Sequence, residues 1–170
     1  MSVLNDVSDN ALDAYLRVVM KLVFIGEASS RPDLRPFEGS ARPRLASTMG
    51  ISSDEFLSAV DTANLIRAWP GRGPGKKGRL FPPHEARIAT LMMDLKGRAV
   101  VLVGKRVALA FGLKHPPWLL PVVLGKGEAS CVVMPHPSGI VRWWNSPANR
   151  RAAAKVLNRL VRGTKKPRPS

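Results

Sequence analysis

Apolar residues recur along the chain in two alternating rhythms. Between Asn10 and Met20 they fall at helical spacing, with Asp9 or Asn10 as a cap, which predicts a first helix. Lys21-Leu22-Val23-Phe24-Ile25 is instead a short β-rich apolar run that stops at Gly26, the pattern of a strand buried on both faces. A Pro- and Arg-rich loop follows from Glu27 to Gly39. Helices are expected over Ser40 to Met49 and Ser52 to Val60, the second capped by Ser52 or Ser53. Ala63 to Arg67 reads as a second strand. It runs into a segment from Trp69 to Arg79 that is too rich in Gly and Pro to be regular. Helical periodicity returns over His84 to Leu95, after Pro82-Pro83. Arg98 to Val103 is a third buried strand, ending at Gly104 before a short helix over Lys105 to Phe111. Ala129 to Met134 is the fourth, opening into Pro135-His136-Pro137-Ser138-Gly139. The last helix begins near Ser146-Pro147, with proline at its first position, and runs to about Arg162.

Strands that alternate with helices define an α/β class. The expected architecture is a three-layer α/β/α domain with a central four-stranded, mostly parallel sheet. It occupies residues 1–162 as a single domain, and the basic, proline-containing tail 163–170 is expected to be disordered. In parallel sheets ligands bind outside the carboxyl ends of the strands. Here the four strands end in Gly26-Glu27, the loop from Asn64 to Arg79, Gly104-Lys105-Arg106, and His136-Pro137-Ser138-Gly139. Those four loops are therefore expected to converge on one site.

Composition narrows the chemistry. The chain has 170 residues, long enough for a real core, and 45% of them are apolar, normal for a globular protein. No apolar run approaches the roughly 20 residues that a membrane-spanning helix needs. The first residues carry Asp6 and Asp9 and show neither a basic region nor a signal-like apolar block, so a cytoplasmic location is expected. Cys131 is the single cysteine, which excludes an internal disulfide and any cysteine-held zinc or iron–sulfur site. His84, His115 and His136 have no metal-ligand spacing, so no metal and no cofactor are expected. Lys and Arg total 27 against 12 acids, a formal charge of +15. Such an excess attracts phosphate backbones through counterion release and points to nucleic acid as the partner. A soluble basic surface or an RNA-associated protein would share it.

The strand-end loops, in their order, resemble the uracil-DNA glycosylase superfamily, above all its bacterial and archaeal branch that carries an iron–sulfur cluster. That branch has a Gly-Glu-Ala-Pro-Gly-like loop after its first strand and then a Pro-Phe-x-Gly segment. This chain has Gly26-Glu27-Ala28-Ser29-Ser30 and Pro36-Phe37-Glu38-Gly39. The family's second strand carries an Asn before a Pro-containing loop, here Asn64 followed by Trp69-Pro70. Its third strand ends at a Gly, here Gly104, and its last opens into a His-Pro-Ser loop, here His136-Pro137-Ser138. The likeness covers roughly residues 21 to 160. Two departures stand out: the cluster cysteines are missing, and Ser29-Ser30 replace the Pro-Gly of the first loop.

The resemblance implies a base glycosylase acting on DNA, single- or double-stranded, as a monomer. Breaking an N-glycosidic bond requires stabilising a cationic sugar and an anionic leaving base, activating water, and holding the nucleotide outside the stack. The implied catalytic residues are Glu27, which would orient water, and His136, which would donate to the base O2, with Asp33 as a fallback acid in the first loop. Phe37 would stack on the extruded base and Asn64 would pair with its edge. Ser138 and nearby amides would hold a phosphate. The segment Ile140-Val141-Arg142-Trp143-Trp144 would supply the wedge, Arg142 and Trp143 among it, and Lys76, Lys77, Lys105 and Arg106, with Arg72 and Arg79, would grip the backbone. Each has a plainer reading: Glu27 as a solvated loop acid, Phe37 as a core plug, Asn64 as a backbone cap, the tryptophans as packing. Uracil is the default base. The alternatives are a non-catalytic nucleic-acid-binding module on the same fold, or an enzyme acting on modified nucleobases of viral DNA.

Overall fold

The computed structural model describes residues 21–29, 31, 33–71, 81–125, 129–138 and 141–164. The helix expected over Asn10 to Met20, Ser30, the cations at 72–79 and the tail from 165 lie outside these residues. The elements in order are β1 (Lys21–Ala28), α1 (Ala41–Met49), α2 (Ser53–Ala59), β2 (Asp61–Ile66), α3 (Pro83–Met92), β3 (Arg98–Val103), α4 (Lys105–Ala110), β4 (Pro121–Leu124), β5 (Ala129–Met134), a 3₁₀ turn (Arg142–Asn145) and α5 (Pro147–Thr164).

The sheet has five strands in the order β2-β1-β3-β5-β4. β2, β1, β3 and β5 run parallel, and β4 lies antiparallel to β5 at the edge. Four strands were expected, and the fifth is Pro121-Val122-Val123-Leu124. It is too brief to stand out from the prolines and leucines before it, and it has an edge strand's habits. Proline heads it, and Val123 is 60% exposed. β1 is also longer than its apolar run. It continues through Gly26 and Glu27 because Gly26 stays in register with Asn64, and Ala28 with Ile66, on β2.

Two-residue alternation along the strands sorts the core into two faces. Leu22, Phe24, Val101, Val103, Val132 and Met134 pack with Leu45 of α1, Phe56 of α2 and Leu157 and Leu160 of α5. Val23, Ile25, Val100, Leu102, Cys131 and Val133 pack with Ala86 of α3 and Val107 and Ala108 of α4. Helices thus cover both faces, the three-layer arrangement that the alternation of elements predicts. Each fully buried Val, Leu, Ile or Phe contributes about 1.5–3 kcal/mol. α2 starts with a capping box: the Ser52 hydroxyl accepts from the Glu55 N–H at 3.1 Å, and the Glu55 carboxylate accepts from the Ser52 N–H at 2.7 Å. Among the described residues no helix is long and apolar enough to cross a membrane.

Candidate active site at the strand ends

Parallel pairing of β2, β1, β3 and β5 brings their carboxyl ends to one edge of the sheet. There Gly26, Glu27, Ser29, Phe37, Asn64, His136 and Ser138 line one cavity of about 120 Å³. β1 supplies Glu27, β2 supplies Asn64, and the segment after β5 supplies His136 and Ser138.

Gly26 is the point of closest approach. A Cβ there would lie 2.7 Å from an atom of the Asn64 amide and 3.0 and 3.2 Å from the Phe37 ring. A strand-interior glycine is the expected means of letting side chains close over a backbone. Phe37 has φ 62°, a left-handed conformation that costs a non-glycine residue about 1–2 kcal/mol. That strain is offset by burial: the ring is 7% exposed and meets Phe24 edge-on, with centroids 6.1 Å apart and planes at 80°. Phe37 is therefore a core plug and a cavity wall at once.

Asn64 is held from behind. With its amide oriented so that oxygen meets donors and nitrogen an acceptor, Oδ1 accepts from the Ser29 N–H at 3.0 Å and the Ser29 hydroxyl at 3.2 Å. Nδ2 donates to the Ala63 carbonyl at 3.3 Å. Ser29, at 7% exposure, is the buried polar side chain among the described residues. Sequence reasoning marked Ser29 only as a departure from the family's loop. Its partner lies 35 residues away on a neighbouring strand, and nothing local signals the contact.

β3 and β5 are joined at their ends, where the Gly104 N–H donates to the Met134 carbonyl at 2.9 Å. Gly104 has φ 105°, which favours glycine, and a Cβ there would lie 3.7 Å from both Glu27 Oε1 and His136 Cβ. The acid and the histidine thus flank one turn. The Glu27 carboxylate meets Arg106 of α4 at 3.5 Å, and the acid's side chain is 17% exposed against 50% for the arginine. The His136 carbonyl accepts from the Trp144 indole N–H at 3.0 Å, which ties the histidine loop to the 3₁₀ turn.

The other predicted residues are less close to the cavity. Asp33 is not among its lining residues; its carboxylate is hydrogen-bonded by Arg31 at 2.6 Å, which holds it below its ordinary value, and both side chains are largely exposed. Trp143 is half-buried and packs edge-on to the buried Trp144, ring centroids 5.0 Å apart, while Arg142 is exposed. Lys105 places its ammonium 5.9 Å from the Trp118 ring centre, and the Arg106 guanidinium lies 5.8 Å from that of Phe81. Lys76, Lys77, Arg72, Arg79, Gly139 and Ile140 lie outside the described residues.

A family model described as the uracil DNA glycosylase superfamily matches residues 15–161, which span every strand of the sheet and most of α5. The match does not separate the iron–sulfur branch from the others. None of the curated proteins compared with the chain matches it.

Proposed function

The chain belongs to the uracil DNA glycosylase superfamily, and from that membership we propose that it hydrolyses the N-glycosidic bond of a base flipped out of DNA. The carrying observation is the meeting of Glu27, Phe37, Asn64, His136 and Ser138 around one cavity at the ends of β1, β2 and β5. At about 120 Å³ the cavity is well below the roughly 300 Å³ at which drug-sized ligand pockets begin. It suits one base, with sugar and phosphate left outside, as base flipping requires.

Each residue has a part in this reading. Phe37 presents its ring to the face of the base. Asn64, whose Oδ1 is engaged by Ser29, offers its second N–H to a carbonyl on the base edge, which favours uracil over the amino-bearing cytosine. Glu27 orients the attacking water and balances the positive charge on the sugar. His136 donates to the base O2, so that negative charge developing on the leaving base meets a fixed donor. Water adds its hydroxyl to C1′ and its proton goes to the departing base, leaving an abasic site and an intact strand. Ser138 binds the adjoining phosphate.

The test uses end-labelled oligonucleotides, single- and double-stranded, each with one uracil, hypoxanthine, mismatched thymine or other modified base. Hot alkali converts abasic sites to breaks. Glu27→Ala is expected to slow release about 10²–10⁴-fold and His136→Ala about 10²–10³-fold. Release that survives both substitutions would remove the site from these loops. Tight, salt-dependent binding with no release from any substrate would favour a second reading, a binding module that kept the fold. The Ser29 contact speaks for that reading, because it takes up acceptor capacity that a base reader would use.

A further inference from the structure

A second cavity is a groove of about 960 Å³ between α1 and α5, lined also by Trp144 and Asn145 of the 3₁₀ turn. Ser40, Arg44, Ser47, Trp144, Arg150 and Arg151 line it, and no acid is among its lining residues. α1 carries Arg42 and Arg44, α5 carries Arg150, Arg151, Lys155 and Arg159, and neither helix contains Asp or Glu. Their buried faces use Leu45, Ala46 and Met49 on one side and Ala153, Leu157 and Leu160 on the other. Of these cations Arg44, Arg150, Arg151 and Lys155 are exposed.

Groove and pocket adjoin. Ser40 lines both cavities, and Trp144, in the groove wall, holds the His136 carbonyl. Arg150 is partly committed to structure, donating to the Trp144 carbonyl at 3.0 Å, whereas the Arg44 and Arg151 side chains are exposed. An open trough with cations, hydroxyls and no competing acid matches an extended polyanion. It is too wide and too polar to select a compact apolar ligand.

We propose that this groove is a track for the phosphodiester backbone of the DNA strand that carries the target base, which passes from the pocket across Ser40 to Arg44 and Arg151. The proposal rests on reading DNA as the ligand of the neighbouring pocket.

Binding of a labelled single-stranded deoxyoligonucleotide, followed by fluorescence anisotropy over a salt series, tests it without relying on base release. Three proteins are compared: the wild type, Arg44→Gln/Arg151→Gln, and Lys96→Gln/Lys114→Gln. The lysine pair is exposed, lies outside the groove and changes net charge equally. Thermal melts establish that all three are folded. Two lost single-strand phosphate contacts lower the slope of log K against log salt by about 1.4, or about 25-fold in affinity near 0.1 M salt. The arginine pair is expected to show that loss and the lysine pair a small fraction of it. An unchanged slope, an equal loss in both pairs, or a loss confined to RNA of the same sequence overturns the proposal. Base release by the same proteins is scored separately. Slope loss without release would sink the glycosylase reading and leave the groove standing, and release with an unchanged slope would do the reverse.

Discussion

Gly26→Ala adds a single methyl to β1 where Asn64 of β2 and the Phe37 ring close over it. The new carbon would stand 2.7 Å from the Asn64 amide and 3.0 Å from the Phe37 ring, both below ordinary contact. Neither neighbour yields easily. Phe37 is buried with its backbone at φ 62° and its ring edge-on to Phe24, and Asn64 is anchored to Ser29 and Ala63. Overpacking a filled site costs about 1–3 kcal/mol, and for a chain of this size Tm falls by about 2–4 °C per kcal/mol. The same shift moves the two residues proposed to hold the base. A misplacement of about 1 Å in a reacting group is worth about 10²-fold in rate. Thermal melting and single-turnover base release, measured on one preparation, should therefore both change, and release should fall by more than the lost stability explains. A variant with unchanged Tm and unchanged release would show that Asn64 and Phe37 do not close over Gly26.

Three further perturbations address separate contacts. Ser29→Ala removes the hydroxyl that occupies Asn64 Oδ1 and frees an acceptor for a base N–H; one hydrogen bond of about 1 kcal/mol raises kcat/KM on uracil DNA up to about fivefold, and an unchanged or lower value would make Asn64 purely structural. Trp144→Phe keeps the ring in the core but deletes its donor to the His136 carbonyl; kcat is expected to drop about tenfold, the equivalent of about 1.4 kcal/mol, with DNA affinity nearly unchanged, and a loss in affinity alone would disconnect the tryptophan from the histidine loop. Burial pushes the Cys131 thiol up from 9.0 to about 12, so the folded state keeps a proton that the unfolded chain releases. Stability from this group is complete below pH 9 and declines as pH rises towards 12, by about 1.4 kcal/mol per unit. Denaturant unfolding of wild type and Cys131→Ala over that range should diverge by this slope, and parallel curves would refute it.

Legibility in the sequence followed how local the determining physics was. β3 and β5 match their expected bounds because each is a predominantly apolar run closed by a Gly or a Pro, as a strand buried on both faces requires. The apolar run of β1 stops at Gly26, so its sequence predicts the strand's end there. Here the glycine serves the opposite purpose, continuing the strand where Asn64 and Phe37 need its missing side chain. β4 escaped notice because pairing with β5, and not its own residues, makes it a strand. Convergence of Glu27, Asn64, His136 and Ser138 could be anticipated from topology alone, since parallel strands bring their ends together. Asp33 could not be placed in that way. Its carboxylate pairs with Arg31 two residues earlier, an exposed contact that the strand topology does not dictate.

Ser29 links these themes. In the family's loop a Pro-Gly would stand where this chain has Ser29-Ser30, and a proline at that position has no N–H to give. Ser29 has one and uses it: backbone N–H and hydroxyl both converge on Asn64 Oδ1. The departure therefore leaves a tighter junction between β1 and β2, not a gap. It also changes what Asn64 can tell a ligand, from an amide with both a donor and an acceptor to one whose acceptor is already engaged. A pocket read by one donor discriminates by the presence of a carbonyl and places little demand on the neighbouring base nitrogen. On the proposed reading, the substitution that sets this chain apart from its family's loop would act on base selection, while the Glu27, Gly104 and His136 corner, built from β1, β3 and β5, is left as the topology dictates.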